Sequence, residues 1–334
     1  MKELKLLIVG AGPAGISLAS EARIAGIDAE DILMIDKAET HSWVIRSLYP
    51  DKKLVAANYK GLPAVCHGVM SLQDSTKGET ISYLDQAIKK TGVMVNYREE
   101  VLKIEPIGTK KETLFIVQTN KNKYLTRVTV IAIGVFGRPN KPNYKLPRKL
   151  KESIHFDVTS FQAKDENILV VGGGDSASEF SQYLIEMGNK LTLSYRRNEF
   201  VRMNSFNINA LKELEINKQV EILLESHIEE IKISDDEKPL VCFSEVHLGE
   251  RKYTRVIYAL GGSTPNNFLK SIGIKFKNKI PNLKESGEST IPGLFVTGDL
   301  LAGKRGGSII QAFNTSKTTM DQICTNYLEC EVPQ

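Results

Sequence analysis

The stretch Val170-Val171-Gly172-Gly173-Gly174-Asp175-Ser176-Ala177-Ser178-Glu179, with Leu191-Thr192-Leu193-Ser194-Tyr195-Arg196-Arg197 after it, decides the reading of the fold. An apolar run enters a glycine turn, a helical stretch follows, and a second apolar run ends in two arginines. That is the plan of a dinucleotide site whose phosphate end meets cations. A counterpart opens the chain. Leu4 to Val9 is a continuous apolar run bounded by glycine, as expected of a strand buried on both faces of a parallel sheet. Gly10-Ala11-Gly12-Pro13-Ala14-Gly15 follows, then helical spacing from Ile16 to Ala25, then a strand from Asp31 to Ile35 closed by Asp36, about twenty positions after Gly15. In such a unit the middle glycine admits a pyrophosphate, the helix N-terminus offers free amides, and the acid accepts from a ribose hydroxyl. A glycine-rich turn can be only a turn, but here strand, helix, second strand and acid stand in order around it.

The remaining composition narrows the class. A chain of 334 residues suits two domains of ordinary size. Its apolar fraction of 41% and charged fraction of 25% are those of a globular protein, with no apolar run near the ~20 residues of a membrane helix. Leu6 to Val9 is too short for a signal-peptide core, so a cytoplasmic location is expected. A net charge of +4 is too small for the basic stripe of a nucleic-acid binder. The four cysteines, Cys66, Cys242, Cys324 and Cys330, form no Cys-x-x-Cys, which argues against a dense disulfide framework. His41, His67, His155, His227 and His247 have no metal-ligand spacing, so no metal is expected.

Between the two glycine turns, Thr40 to Lys77 is irregular and polar. Thr80 to Thr91 reads as an amphipathic helix and Gly92 to Tyr97 as a strand. Three further strands are expected over Glu100 to Pro106, Thr113 to Thr119 and Tyr124 to Ile133. The second unit repeats the order: strand to Val171, helix to Met187, strand to Tyr195, then hairpin-like strands near Val220 to Ile233, Leu240 to His247 and Tyr253 to Leu260. Each unit closes on Ala-[Ile/Leu]-Gly, at Ala132 to Gly134 and Ala259 to Gly261, which marks an internal repeat. Leu294 to Asp299 has no place left in the second unit and completes the first. The expected architecture is α/β: two nested Rossmann-like dinucleotide-binding domains, each a three-layer parallel sheet plus β-meander. Residues 1–137 and 263–334 form the outer, FAD-binding domain and 138–262 the inserted NAD(P)H-binding domain, with crossings near Gly137 and Gly262.

The acid and the arginines occupy equivalent positions, the end of the second strand in each unit. An acid there suits an unphosphorylated ribose, whereas arginines suit a 2′-phosphate. Gly172, Gly174, Asp175, Ser176, Ala177, Glu179, Tyr195, Arg196, Arg197, Arg202 and Gly261 are therefore the expected NADPH residues. For FAD they are Gly10, Gly12, Pro13, Ala14, Gly15, Asp36, Lys37, Trp43, Ala132, Gly134, Gly298, Asp299, Ser308 and Ile309. Asp299 in Thr297-Gly298-Asp299 would accept from a ribityl hydroxyl, and the helix opening near Gly307-Ser308-Ile309 would turn its positive end to the flavin pyrimidine. The plainer readings are a solvated strand end for the arginines, a strand-to-helix turn for Asp299 and packing for Trp43.

On Gly10 to Gly15, Gly172 to Glu179, Tyr195-Arg196-Arg197 and Thr297-Gly298-Asp299, the chain resembles the low-molecular-weight thioredoxin-reductase-like flavoproteins over nearly its whole length. The resemblance implies FAD and NADPH as cofactors, a homodimer, and domain rotation about Gly137 to Pro142 and Gly261 to Pro265. It also has departures. Thioredoxin reductases carry a Cys-x-x-Cys before the second glycine turn, and this chain has no cysteine between Cys66 and Cys242. Bacillithiol-disulfide-reductase-like relatives place a cysteine inside the first turn, where Ala14 stands here. The resemblance therefore points to ferredoxin-NADP reductases of the thioredoxin-reductase type and to bacterial NADPH:flavodoxin, or flavodoxin:quinone, reductases, which Asp36-Lys37-Ala38-Glu39-Thr40-His41-Ser42-Trp43 matches best.

The expected activity is electron transfer from NADPH through FAD, with flavin-based chemistry and no catalytic side chain, to flavodoxin, ferredoxin or a quinone, in either direction. Lys141, Lys145, Arg148, Lys149 and Lys151, with Lys304 and Arg305, are candidates for docking an acidic carrier, set against a merely solvated face. The alternatives are a thioredoxin- or low-molecular-weight-disulfide-reductase-like enzyme using Cys324 or another thiol, and a non-catalytic NADPH/FAD redox sensor. Cys324 and Cys330, six positions apart, are a conceivable redox pair.

Overall fold

The structure is a computed structural model that describes residues 2–49, 51, 53–58, 63–109, 112–135, 139–158, 160–261, 265–278, 280–303 and 306–331. By internal contact the chain divides into two compact units. The first comprises Met1–Ser47, Leu54–Gly137 and Thr264–Gln334; the second comprises Leu48–Lys53 and Arg138–Ser263. Residues 136–138 and 262–264, where the crossings and parts of the two hinge segments were expected, lie outside the described residues, as do Lys304 and Arg305.

The first unit opens with β1 (Glu3–Val9), α1 (Pro13–Ile24), β2 (Ile32–Ile35) and α2 (Trp43–Leu48), then β3 (Leu54–Val55), β4 (Ser75–Thr76), α3 (Lys77–Thr91) and β5 (Met94–Asn96). The strands β6 (Val101–Thr109), β7 (Glu112–Thr119) and β8 (Lys123–Ile131) follow. Leu6, Leu7 and Ile8 are wholly buried, as a two-faced parallel strand requires. α3 begins earlier than its apolar spacing suggests, because Thr76 and Glu79 close a reciprocal capping box; it ends on Gly92 in the left-handed conformation.

The second unit holds β9 (Ile154–His155), β10 (Asn167–Val171), α4 (Asp175–Glu186), β11 (Lys190–Ser194), α5 (Ser205–Ile216), β12 (Val220–Leu223), β13 (Ile228–Ile233), β14 (Pro239–Phe243), β15 (Glu250–Lys252) and β16 (Arg255–Tyr258). Its main sheet is parallel throughout, in the order β12-β11-β10-β16-β9, with a separate antiparallel meander β13-β14-β15. Alternate residues of β10 serve opposite layers. Ile168 and Val170 pack with Phe180, Leu184 and Leu211 of the helices, and Leu169 packs with Ile231, Val241 and Phe243 of the meander.

Three details differ from the sequence expectation, the first being that Tyr253 to Leu260 supplies not a hairpin strand but β16, parallel in the main sheet, while β15 completes the meander. The apolar stretch from Val220 to Ile233 is not one hairpin arm but two strands in different sheets, broken where Glu225 takes a positive φ. α5 is not evident from apolar spacing; its signal is Asn204, whose side chain accepts from the Asn207 amide as an N-cap.

The chain ends with α6 (Asn266–Ser271), β17 (Phe276–Lys277), β18 (Ile280–Pro281), β19 (Leu294–Val296), α7 (Asp299–Ala302) and α8 (Ile309–Ile323), all in the first unit. Its sheet runs β5-β2-β1-β8-β7-β6, and the outer edge of β8 is shared. β7 pairs with it antiparallel up to Thr126, and β19 then pairs in parallel with Thr129 to Ile131.

α1 also carries Glu21, which is 1% exposed. Its Oε1 accepts from the Val69 amide at 2.7 Å, while Oε2 has no hydrogen-bond partner among the described residues. Burial pushes this carboxyl above the usual glutamate range, against the pull of the Val69 amide and Lys317. A carboxyl whose pKa is raised in the fold contributes stability below its unfolded value, and that contribution is lost as pH rises through the folded value. Glu21→Gln is therefore expected to raise the thermal midpoint at pH 8 by about 2–4 °C and to change it little at pH 4. Equal shifts at both pH values in calorimetry would contradict this account.

Candidate nucleotide-binding sites

In the first unit the C-terminal ends of β2, β1, β8 and β19 are brought side by side by parallel pairing. The residues singled out at those ends therefore meet. A Cβ on Gly10 would lie 2.5 Å from the Ala132 carbonyl oxygen, and one on Gly15 would lie 2.0 Å from the Gly10 carbonyl oxygen, so packing demands glycine at both. Gly12 differs. Its backbone is extended, with φ −87° and ψ −175°, and a Cβ there would meet nothing within 4 Å. Neither conformation nor protein packing requires glycine at this position. What the missing side chain leaves is open space at the N-terminus of α1, where the first amides have no partner in the helix. Pro13 opens that helix, where a missing N–H is harmless.

The Asp36 carboxylate is aimed by two amides: Ala11 N donates to Oδ2 at 2.7 Å and Ala38 N to Oδ1 at 2.8 Å. A carboxylate offers about four lone-pair sites, so acceptor capacity remains. Lys37 is exposed, and Trp43, first residue of α2, is 45% exposed. The loop between them is anchored by His41, which is buried. Its Nε2 faces the acceptor-only Asp85 Oδ1 at 2.6 Å and therefore donates, and Arg46 Nη2 donates to the same oxygen at 2.9 Å. Burial works against the Asp85 carboxylate, but His41 and Arg46 outweigh it and hold its pKa below the usual range.

β19 delivers Thr297-Gly298-Asp299 beside the glycine turn. Gly298 has φ +71° and ψ −148°, a conformation that glycine adopts without strain, and its amide donates to Thr315 Oγ1 at 3.0 Å. A Cβ on Gly298 would stand 2.9 Å from that of Ala14, whose carbonyl accepts from Ser316 Oγ at 2.8 Å. Asp299 Oδ1 accepts from the Gly307 amide at 2.6 Å. Ser308 caps α8, which begins at Ile309. Gly134 has φ +64° with open space around its Cβ position. The sequence does not pick out Thr315; a hydroxyl nearly two turns into α8 carries no local signal.

The second unit reproduces the turn. A Cβ on Gly172 would lie 2.5 Å from the Ala259 carbonyl oxygen, and one on Gly173 would lie 2.1 Å from the Tyr195 ring. Gly174, extended at φ −118° and ψ −179°, again faces open space, at the N-terminus of α4. Tyr195 is 4% exposed and stacks on Phe200, and its phenol oxygen has no hydrogen-bond partner among the described residues. Arg196, Arg197 and Arg202 are exposed, with no ion pair to an acid among the described residues. An isolated bridge sets Arg202 against Gly174. Ser176 is exposed, Ala177 is buried, and the Gly261 carbonyl accepts from the Asn140 amide at 2.8 Å.

Two expected contact residues are engaged elsewhere. Asp175 Oδ1 accepts from the Asn204 amide and from the side chains of Asn204 and Asn207, tying α4 to α5. Glu179 pairs with Lys53 at 2.6 Å, and the Lys53 ammonium also lies 4.0 Å from the centre of the Tyr49 ring. Burial opposes the charge on Lys53, but Tyr49 and Glu179 hold its pKa above the usual lysine range. Among the described residues no cluster of His, Cys, Asp and Glu is placed to hold a metal, and no helix is long and apolar enough to cross a membrane.

A family model for the pyridine nucleotide-disulphide oxidoreductases matches residues 7–298, and the chain belongs to that family. It is a FAD-dependent NAD(P)H oxidoreductase. Among curated relatives, a ferredoxin–NADP reductase of Ignicoccus hospitalis is 26% identical over 88% of this chain and 89% of its own. Bacilliredoxin reductase Bdr of Bacillus subtilis is 26% identical over 92% and 93%. Solved structures with the same fold include bacillithiol disulfide reductase Bdr from Bacillus cereus, with a TM-score of 0.81 and 20% identity over 97% of this chain and 99% of that one. The thioredoxin reductase of T. acidophilum gives a TM-score of 0.78 at 18% identity, over 97% and 99%.

The contrast among glycines is directly testable. Gly12→Ala and Gly174→Ala displace no protein atom and suit the backbone, so each is expected to leave the thermal midpoint unchanged or raised. Each should nonetheless weaken nucleotide binding in its own unit by about tenfold or more in titration calorimetry. Gly15→Ala meets a backbone oxygen and should destabilise by about 2–4 kcal/mol. Undisturbed nucleotide binding by the first two variants would remove the assignment of the open spaces.

Proposed function

We propose that the first unit holds FAD, that the second holds NADPH, and that electrons pass from NADPH through the flavin to a ferredoxin- or flavodoxin-class carrier or to a quinone. The observation that carries this reading is the pair of glycines, Gly12 and Gly174, whose Cβ positions open onto nothing at two helix N-termini flanked by opposite charge. A pyrophosphate suits both openings, because its oxygens take up the free amides and the positive end of the helix dipole. In the first unit Asp36, oriented by Ala11 and Ala38, accepts from ribose hydroxyls and repels a 2′-phosphate. In the second, Arg196, Arg197 and Arg202 are exposed with no ion pair to an acid among the described residues, and they are available to a 2′-phosphate. Charge-assisted hydrogen bonds of about 1.5–3 kcal/mol each make two such arginines worth at least a hundredfold preference for NADPH over NADH.

When bound, FAD would supply the redox chemistry, coupling a two-electron donor to one-electron acceptors. The chain's own residues bind and orient: Gly298 permits close approach, Asp299 is turned by Gly307, and the N-terminus of α8 at Ser308 and Ile309 favours negative charge near it. The acceptor is read from two features. No cysteine stands between Cys66 and Cys242 to relay electrons to a disulfide. Lys141, Lys145, Arg148 and Lys149 are exposed without an acidic partner among the described residues, and Lys145 and Arg148 help line a concavity of about 690 Å3 with Leu146, Pro147 and Glu230. That surface suits an acidic carrier. The relatives named ferredoxin–NADP reductase support the same acceptor class. A cytoplasmic homodimer completes the proposal, and small-angle scattering showing a monomer would remove that part.

Arg197→Ala is expected to raise the KM for NADPH about tenfold or more and to leave turnover with NADH alone; equal losses with both would assign the arginine a structural role. Stopped-flow mixing with NADPH, then with flavodoxin, ferredoxin, a quinone or a disulfide, separates the acceptors. Fast flavin reduction, reoxidation by a carrier protein and a rate that falls between low and high salt are expected. Reoxidation by a disulfide alone would favour a reductase like the Bdr relatives, and no reduction would leave a sensor.

A further inference from the structure

Cys324 and Cys330 are joined by a disulfide at the far end of α8, where the helix widens into a π-turn over Cys324–Leu328 and Glu329 takes a left-handed conformation. α8 spans 15 residues, so the bridge lies about 22 Å along the helix from Ser308. That separation makes the bridge a poor direct acceptor for electrons from a flavin bound at Ser308 in the same protomer. Cys66 and Cys242 are free.

The ring closed by the bridge contains Tyr327, and Tyr327 reaches back into the unit. Its hydroxyl donates to Glu288 Oε1, and its ring stands edge-on to Phe295, 5.7 Å between centroids at 90°. Glu288 is 3% exposed and accepts from Lys284 at 2.5 Å. Phe295 is the central residue of β19, the strand that delivers Gly298 and Asp299. The segment carrying Glu288 is held on both sides: the Val296 amide donates to the Gly287 carbonyl, and Thr319 Oγ1 of α8 donates to the Ser286 carbonyl. A covalent ring, a partly buried tyrosine–carboxylate hydrogen bond and the strand leading to the candidate flavin site thus form one contiguous body.

We propose that Cys324–Cys330 is a second, reversible redox site, opened by an external dithiol, whose state sets how firmly the FAD site is held. The two sulfurs are unequally accessible, since Cys324 is 1% exposed and Cys330 is partly exposed. A thiolate of the incoming dithiol attacks Cys330 Sγ, the bond between the two protein sulfurs breaks, and Cys324 leaves as a thiolate and takes a proton. The second thiol of the same reagent, deprotonated, then attacks the mixed disulfide and releases Cys330, which is protonated in turn. The protein gains two electrons and two protons, and the dithiol becomes a cyclic disulfide. With the ring open, the π-turn is free to relax, because such turns are rare in the absence of a local constraint. Tyr327 then leaves Glu288, and the buried carboxylate loses a donor. The existence of the redox site is independent of the nucleotide assignment, whereas its effect on FAD rests on the function proposed above.

The holoenzyme is the material for the test. Purified without reductant, it is expected to show two thiols after denaturation and maleimide labelling. After incubation of the folded protein with dithiothreitol it should show four, with no species of three at equilibrium. The reduced protein, and Cys330→Ser in any buffer, should melt about 5–8 °C lower. Both should bind FAD about fivefold more weakly. Tyr327→Phe, which keeps the bridge and the ring contact, should reproduce the weaker FAD binding, and combining it with Cys330→Ser should add little. Four thiols in protein isolated without reductant and then treated with oxidised glutathione, or two thiols that resist dithiothreitol in the folded state, would overturn the redox site. The same FAD affinity in both states would overturn the coupling. Normal thiol counts with no FAD binding in either state would instead defeat the nucleotide assignment and leave the bridge standing.

Discussion

Both units depend on one steric constraint, the contact between a glycine at the end of the first strand and a carbonyl oxygen at the end of the neighbouring strand. At Gly10 and at Gly172 a Cβ would lie 2.5 Å from that oxygen, which belongs to Ala132 in one unit and Ala259 in the other. Removing the side chain lets the chain leave the sheet and turn directly into a helix packed upon it. The helix then begins over the strand termini with its unpaired amides outward. Every other feature of the sites follows from that placement, since acids, arginines and capping hydroxyls act only where the amides already point.

The two sites share geometry and differ in charge. Asp36 is held by two backbone amides and keeps acceptor capacity, whereas the exposed Arg196 and Arg197 stand at the equivalent place in the second unit. Repetition of a fold with inverted charge is a physical route to two cofactors in one chain. The family membership established over residues 7–298 implies both cofactors, FAD and NAD(P)H, and the division between the units is the proposal made above. Some acids near the second turn serve the protein instead. Asp175 joins α4 to α5, and Glu179 pairs with Lys53.

Much of the candidate site was legible because its signals are local. The glycine turns, the strand before each and the charged residue after the second strand fall within short windows, where apolar runs and turn residues report directly on backbone structure. α5 and the break at Glu225 were not legible. α5 has modest apolar periodicity and is announced mainly by Asn204, and the division of Val220 to Ile233 between two sheets depends on which neighbours those strands find. The engagement of Asp175 was equally hidden, because its partners lie about one helix further along the chain. Thr315, Tyr327 and Glu288 were invisible for the same reason: each acts through a contact across the fold.

The sequence by itself determined the two turns, the class of charge beside each and the absence of a Cys-x-x-Cys relay. These are properties of residue type and short spacing, and they do not change with the fold around them. Only the tertiary structure decided which glycines serve packing and which leave space, because that depends on what lies opposite an absent Cβ. Only the tertiary structure joined Cys324 to Cys330 and set Tyr327 on Glu288, because a turn geometry and a contact between distant segments are not written in spacing.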